Sequence, residues 1–458
     1  MSQQNKKMQL LGNAPIPQAL LAMGIPTMIG MLVNALYNLV DAYFVGGLGE
    51  SQMGAISVVY PLGQVVVGLG LLFGNGAASY ISRLLGRNDK EKANQVVSTA
   101  LYSSVFVGAV MIILSVIFLK PILSILGATE SILPYAVTYG SIYIISCIFN
   151  VFNVTMNNIV TSEGAAKTTM CALLIGAVLN IALDPIFIYV LDLGAAIATA
   201  ISQVVSTLVY LFYILGKKSV FDFKIKNYCL SKEIASEIFK IGIPTLVFQI
   251  LTSLSISLIN NAAADYGDAA IAGMGVVTRL VSMGSLTIFG FIKGFQPIAG
   301  YSYGAKKFNR LHEAIKTSII WSTIFCVVYG LILALFSTSI VSQFASGNLE
   351  MIKVGASSLR VNGISLMLFG FYTVYSSLFL ALGKGKEGFI LGACRQGICF
   401  VPVILVLPMI WGLNGILYAQ PVADVLSAII TVFMAIHLHR ELNEAEKQAA
   451  IAGTNEVH

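Results

Sequence analysis

Residues 24–27 read Gly-Ile-Pro-Thr, and residues 242–245 read the same, 218 positions downstream. The same offset of 218 carries Gly49 onto Gly267 and Gly86 onto Gly304. Each copy of the tetrapeptide opens a stretch that is almost wholly apolar. A chain written twice in such residues must satisfy every backbone N–H and C=O without water's help, and continuous helices packed on one another do so.

The composition fits no soluble fold of this size. Of 458 residues, 57% are apolar and 10% charged, and the mean hydropathy is +0.84, where a soluble domain carries roughly 25% charge. Six cysteines form no close pair and mostly lie in apolar runs. They read as small buried hydrophobes, not as disulfides or metal ligands. The net charge of +6 comes with no basic arm and no arginine cluster beside stacking aromatics, which argues against nucleic acid as a partner. Lys6 and Lys7 precede an apolar span too long for a secretory signal, so that span is expected to remain as the first membrane helix.

Apolar runs between short polar breaks predict twelve spans, at 18–45, 54–82, 96–119, 133–160, 168–191 and 194–216, then 239–264, 271–301, 315–340, 357–382, 389–409 and 414–437. Each can cross the hydrocarbon, which takes roughly 20 residues. Six spans per copy is an even number, so both copies enter from the same side. The expected fold is an all-α integral membrane protein of twelve transmembrane helices in two six-helix lobes, related by a pseudo-two-fold axis along the membrane normal. The lobes would be 1–216 and 239–440, with a linker at 217–238, expected to run partly as an amphipathic helix, and a tail at 441–458. Arg83, Arg87, Lys90, Lys217, Lys218, Lys306 and Lys307 fall on the side of the N-terminus, whereas Lys120 and Lys353 face the other way. That asymmetry predicts that both termini are cytoplasmic.

Duplicated membrane bundles are carriers far more often than enzymes. No HExxH, paired-histidine or serine–histidine pattern argues for catalysis, and His312, His437, His439 and His458 are expected at loop or terminal positions. Polar residues inside the spans are then the candidates for function. Asn34, Asn38 and Asp41 share one face of the first span. Asn180 and Asp184 stand one turn apart in the fifth span, just before Pro185, and Asn150, Asn153 and Asn157 mark one face of the fourth. Together they predict a hydrated pocket in the first copy, with Asp41 and Asp184 as a proton or cation site. A satisfied network that holds helices together is the competing reading. The second copy lacks these acids: Ile259 stands opposite Asp41, with Asn260 and Asn261 after it, and Pro402 or Val403 opposite Asp184. In the eighth span Arg279 and Lys293 lie fourteen residues apart near one face, with Gln296 before Pro297. They are expected to line a cavity, counter an acid or govern opening, unless they snorkel to an end. Asp424 in the twelfth span is a further candidate.

Several stretches together carry a family resemblance: Gly24-Ile-Pro-Thr27, Asp41-Ala-Tyr-Phe-Val-Gly-Gly-Leu-Gly49, Ser79-Tyr-Ile-Ser-Arg-Leu-Leu-Gly86, Leu179-Asn-Ile-Ala-Leu-Asp-Pro185 and Gly194-Ala-Ala-Ile-Ala-Thr199. Over essentially its whole length the chain resembles the multidrug and toxic compound extrusion (MATE) transporters, nearest the MepA-like group of the DinF-type branch. The resemblance implies two lobes around a V-shaped cavity in a bacterial cytoplasmic membrane, no cofactor, and function as a monomer among membrane lipids. It implies export of amphipathic, often cationic compounds by antiport with protons or sodium. Asp41, Asp184 and Asn180 would couple transport to the ion, with Asn157 and Thr199 as secondary members. Tyr37 and Tyr139 would be additional contacts, beside Asn34, Asn38, Asn153, Asn260, Arg279, Lys293 and Gln296 as substrate or gating positions. Sodium-coupled members of the NorM branch carry second-lobe acids where this chain offers Asn260, Asn261, Asn362, Tyr372 and Tyr375. That departure favours protons, while sodium at Asp41, Asn180 and Asp184 stays open. A flippase for lipid-linked intermediates is the other-class alternative, and Arg279 and Lys293 keep it in view.

Overall fold

The computed structural model describes residues 3–46, 50–126, 130, 132–190, 195–264, 266–344 and 348–455. The side chains of Asn38, Asp41 and Asn260, and all of Gly49 and Gly194, lie outside the described residues. Among the described residues the chain is helical, without a strand. The helices of the first copy are α1 (Gln3–Gly12), α2 (Ile16–Gly46), α3 (Glu50–Gly86), α4 (Lys90–Ile117), α5 (Leu119–Ile125), α6 (Leu133–Ser162), α7 (Ala166–Pro185) and α8 (Ala195–Leu215). The second copy contributes α9 (Lys232–Ala264), α10 (Asp268–Gly304), α11 (Phe308–Leu335), α12 (Ser337–Ser342), α13 (Leu349–Leu366), α14 (Phe369–Ala381), α15 (Gly385–Ala393), α16 (Phe400–Trp411) and α17 (Leu413–Asn455).

Among the described residues, eleven helices are long and apolar enough to cross a membrane, or twelve if α13 and α14, bent by 51° at their junction, count as one span. Large apolar side chains stand on the outside of the bundle, Phe106 at 69% and Phe433 at 70% exposure among them. A soluble protein does not display so much apolar surface; this is a multi-pass membrane protein with its lipid-facing side turned outward.

The duplication is visible in element boundaries. The bounds of α3 and α4 recur 218 residues later as those of α10 and α11, and the start of α5 recurs as the start of α12. Even the turns match. Asn88, after α3, and Lys306, after α10, both take left-handed φ values, 60° and 56°. The copies meet where α3 packs on α9, α2 on α10, and α3 crosses α10. At that crossing a Cβ on Gly86 would lie 2.2 Å from the Tyr301 carbonyl oxygen, and one on Gly304 would lie 2.1 Å from that of Arg83. Each contact is the repeat image of the other, and only glycine allows the backbones so close.

Several expectations of the elements need adjustment. The tenth span is the broken pair α13–α14, and the eleventh is α15, a π-helical turn (Cys394–Ile398) and α16. Another π-helical turn, Ile186–Val190, follows Pro185, whose missing N–H interrupts the regular ladder. Within the linker, a 3₁₀ turn (Ile225–Asn227) is followed from Lys232 by the first turns of α9, with Ile234 and Ile238 buried and Lys232 and Glu233 exposed, so the helix of the seventh span starts ahead of the expected 239. His312 is inside α11, which starts at Phe308 ahead of its apolar run, and His437 and His439 are inside α17, which continues as a helix well past its own; the His312 and His439 rings stack with centroids 5.8 Å apart.

Helix α1 lies across the end of the bundle where α3 and α10 finish. Lys7 donates to the Lys218 carbonyl at 2.7 Å, to Tyr213 and to the buried Glu163, 3.2 Å away. Arg310, from the second copy, donates to the Leu11 and Ala14 carbonyls at 3.0 and 2.5 Å, and Lys307 to that of Gly12 at 2.9 Å. The N-terminal segment thereby ties both copies together, through Leu11 and Ile16, which are fully buried.

Candidate functional site

Helix α7 carries Asn180 and Asp184 one turn apart, the spacing that brings side chains together on a helix. Asn180 Nδ2 donates to Asp184 Oδ1 at 2.7 Å, and the residues are 2% and 0% exposed. A carboxyl group taken out of water so completely, in a chain that could have placed an apolar residue there, is a candidate functional position. The helix changes to its π-helical turn two residues later, a feature frequent at functional sites.

A second polar group, a seam, runs between α6 and α8. Asn153 Nδ2 donates to Gln203 Oε1 at 2.8 Å and to the Gln203 carbonyl at 2.9 Å, while Thr207 Oγ1 donates back to Asn153 Oδ1 at 2.9 Å. One turn on, Asn157 Nδ2 donates to the Tyr210 hydroxyl at 3.1 Å. The α6 stripe thus faces α8. Thr199, half-buried, stands one turn before Gln203, so residues 199, 203, 207 and 210 form a stripe of their own. Gln203, Thr207 and Tyr210 escaped the sequence reading, although that four-four-three spacing was there to find.

From the second copy Lys293 donates to Asn157 Oδ1 across the interface. Gln296 lines the same narrow cavity as Lys293, with Asn75, Ser79, Asn158 and Thr161. Arg279 is exposed. On α2, Asn34 and Tyr37 are half-buried, and Tyr139 stacks on Tyr143 with ring centroids 5.8 Å apart. Asn38, Asp41 and Asn260 cannot be placed, since their side chains lie outside the described residues.

Asp424 does not stand alone. Arg395 Nε donates to its Oδ1 at 2.8 Å, Gln420 Nε2 to the same oxygen at 2.9 Å, and Ser365 Oγ to Oδ2 at 3.0 Å. The Arg395 guanidinium also sits over the Phe369 ring, 4.6 Å from its centroid. Arg395 was missed, though a lone arginine in an apolar span is the same signal that drew attention to Arg279.

Comparison with known proteins follows the geometry closely. The MatE family profile matches residues 26–186 and again 244–406, with starts 218 residues apart. The multidrug export protein MepA of Staphylococcus aureus is 32% identical over 444 residues, covering 96% of this chain and 98% of that protein. MepA of Staphylococcus saprophyticus is 32% identical over 433 residues, covering 94% and 95%. Among solved structures, a MATE protein in complex with MaL6 superposes with a TM-score of 0.91 at 27% identity, covering 96% of this chain and 99% of that one. A MOP superfamily transporter from Pyrococcus furiosus gives 0.89 with the same identity and coverage.

Proposed function

We propose, from the chain's membership of the MatE family of multidrug and toxic compound extrusion transporters and its MepA-like character, that it exports amphipathic drugs, organic cations among them, in exchange for protons. It is a secondary transporter and not an enzyme. The observation that carries the coupling is the buried Asn180–Asp184 pair. Asp184 would exchange its proton for substrate, with Asp41 as its partner on α2 and Asn157 and Thr199 as supporting polar positions.

The transport cycle is alternating access between two six-helix lobes, 1–216 and 239–440, joined by the linker 217–238. The reciprocal contacts of Gly86 and Gly304 support a two-fold relation between the lobes. With both termini cytoplasmic, the crossing of α3 and α10 and the strap formed by α1 close the cytoplasmic side, which corresponds to an outward-facing arrangement. Ion binding must favour one arrangement over the other, or the gradient does no work. Sodium is the second reading, supported by the oxygen atoms that Asn180 and Asp184 place together.

The test uses inside-out vesicles of a bacterial membrane carrying the chain, energised by a pH gradient or by a sodium gradient, with uptake of a fluorescent organic cation as the readout. Uptake under the pH gradient alone, lost in Asp41→Asn and Asp184→Asn, is expected. Uptake under sodium alone would replace the ion, and no uptake under either would overturn the export reading.

A further inference from the structure

Helix α10 carries Arg279 and Lys293 about 40° apart around its axis and roughly 21 Å apart along it. Among the described residues neither has a carboxylate within ion-pair distance. Elsewhere the buried bases have carboxylates: Arg395 has Asp424 at 2.8 Å, and Arg83 has Glu237 at 2.7 Å. Arg310, half-buried, instead gives its donors to the backbone carbonyls of α1. Half-buried Lys293 has neither kind of match. One of its three donors goes to Asn157 Oδ1, a neutral acceptor, and its cavity is lined by amides, hydroxyls and apolar groups with no carboxylate.

Snorkelling does not account for it. Lys293 is eleven residues from the Gly304 end of α10, roughly 16 Å, well beyond the reach of a lysine side chain. Helix packing does not demand it either. The repeat image of Lys293 is Asn75, which fills the equivalent place with an amide that donates to Thr245 Oγ1 at 3.2 Å. The charge stands in the second copy alone, facing the neutral polar groups of the first, and two of its ammonium donors have no carboxylate to meet among the described residues. The cavity, about 10 Å³, has room for little more than a water molecule while α3 and α10 are closed. A larger partner enters only when the copies part there.

We propose that Lys293 recognises the carboxylate of an amphiphilic substrate, with Gln296 and Asn158 as neutral hydrogen-bonding neighbours. The proposal rests on the export reading above but concerns recognition, and equilibrium binding separates it from transport. Fluorescence anisotropy of the purified full-length protein would compare rhodamine B, which has a free carboxylate, with its ethyl ester. The wild type is expected to favour rhodamine B by about tenfold, the worth of one charge-assisted contact. Lys293→Gln should erase the preference by weakening rhodamine B and leaving the ester unchanged, and Lys293→Arg should retain it. Competition by free acetate in the wild type, absent in Lys293→Gln, would show that the pocket takes the group alone. Equal binding of the two dyes by the wild type overturns the proposal, as does a preference that survives in Lys293→Gln or a loss of both dyes together. Vesicle uptake of the ester is read separately: if it is absent while the carboxylate preference holds, the export reading fails and the site stands.

Discussion

Arg395 and Asp424 show what an ionic group costs inside this bundle. Each is nearly fully buried, and three donors converge on the carboxylate. Removing one member leaves the other charge without a partner, a loss of about 3–5 kcal/mol. Arg395→Met should therefore lower the thermal midpoint strongly, while Arg395→Met combined with Asp424→Leu should recover most of it; a fluorescent thiol-probe melt or tryptophan melt in detergent reads both. Equal midpoints for the single and double variants would mean the pair contributes little. At this scale the sequence was informative where polar residues recur at helical spacing: Asn180 and Asp184 read as neighbours and are neighbours. It was blind to partners from other spans. Nothing in one chain's order of residues says that Asp424 meets an arginine 29 positions earlier, or that Asn157 is shared between Tyr210 and Lys293.

At the scale of the helices, the apolar runs gave the elements and missed their interruptions. A hydropathy pattern is continuous across Met367–Leu368, where α13 turns by 51° into α14, because the bend replaces no apolar residue with a polar one. The π-helical turn after Pro185 had a proline to announce it, whereas Cys394–Ile398 had none. The close crossing of α3 and α10 was half legible: the paired glycines stood out at their repeat positions, yet their contact with each other's helix did not. Gly304→Leu would push a side chain into the Arg83 carbonyl, 2.1 Å from where its Cβ must sit. Loss of drug export in growth assays with toxic dyes, together with a lower melting midpoint, is expected, whereas Gly275→Leu, at a position with open space around it, should be tolerated. Equal behaviour of the two variants would mean that the crossing is looser than its geometry indicates.

Across the whole molecule, duplication was the most legible property, since a repeat in sequence must become a repeat in structure when the same apolar faces need the same neighbours. The offset of 218 reappears in helix bounds, in the left-handed turns at Asn88 and Lys306, and in the two family matches. Orientation in the membrane follows from charge alone and is open to a direct check. In a cysteine-free background, Lys224→Cys in the linker should react with an impermeant maleimide in inside-out vesicles, and Lys353→Cys in intact cells; the opposite pattern would invert the topology. The central claim is that drug and proton compete for one first-copy site, with Asp184 in it. Adding a fluorescent organic cation to lightly buffered, detergent-purified protein and following a pH dye measures that exchange without any membrane, because linkage requires each ligand to expel the other. Proton release on drug binding by the wild type, abolished in Asp184→Asn, is the expected result. Drug binding with no proton release, or with release unchanged in Asp184→Asn, would contradict the account.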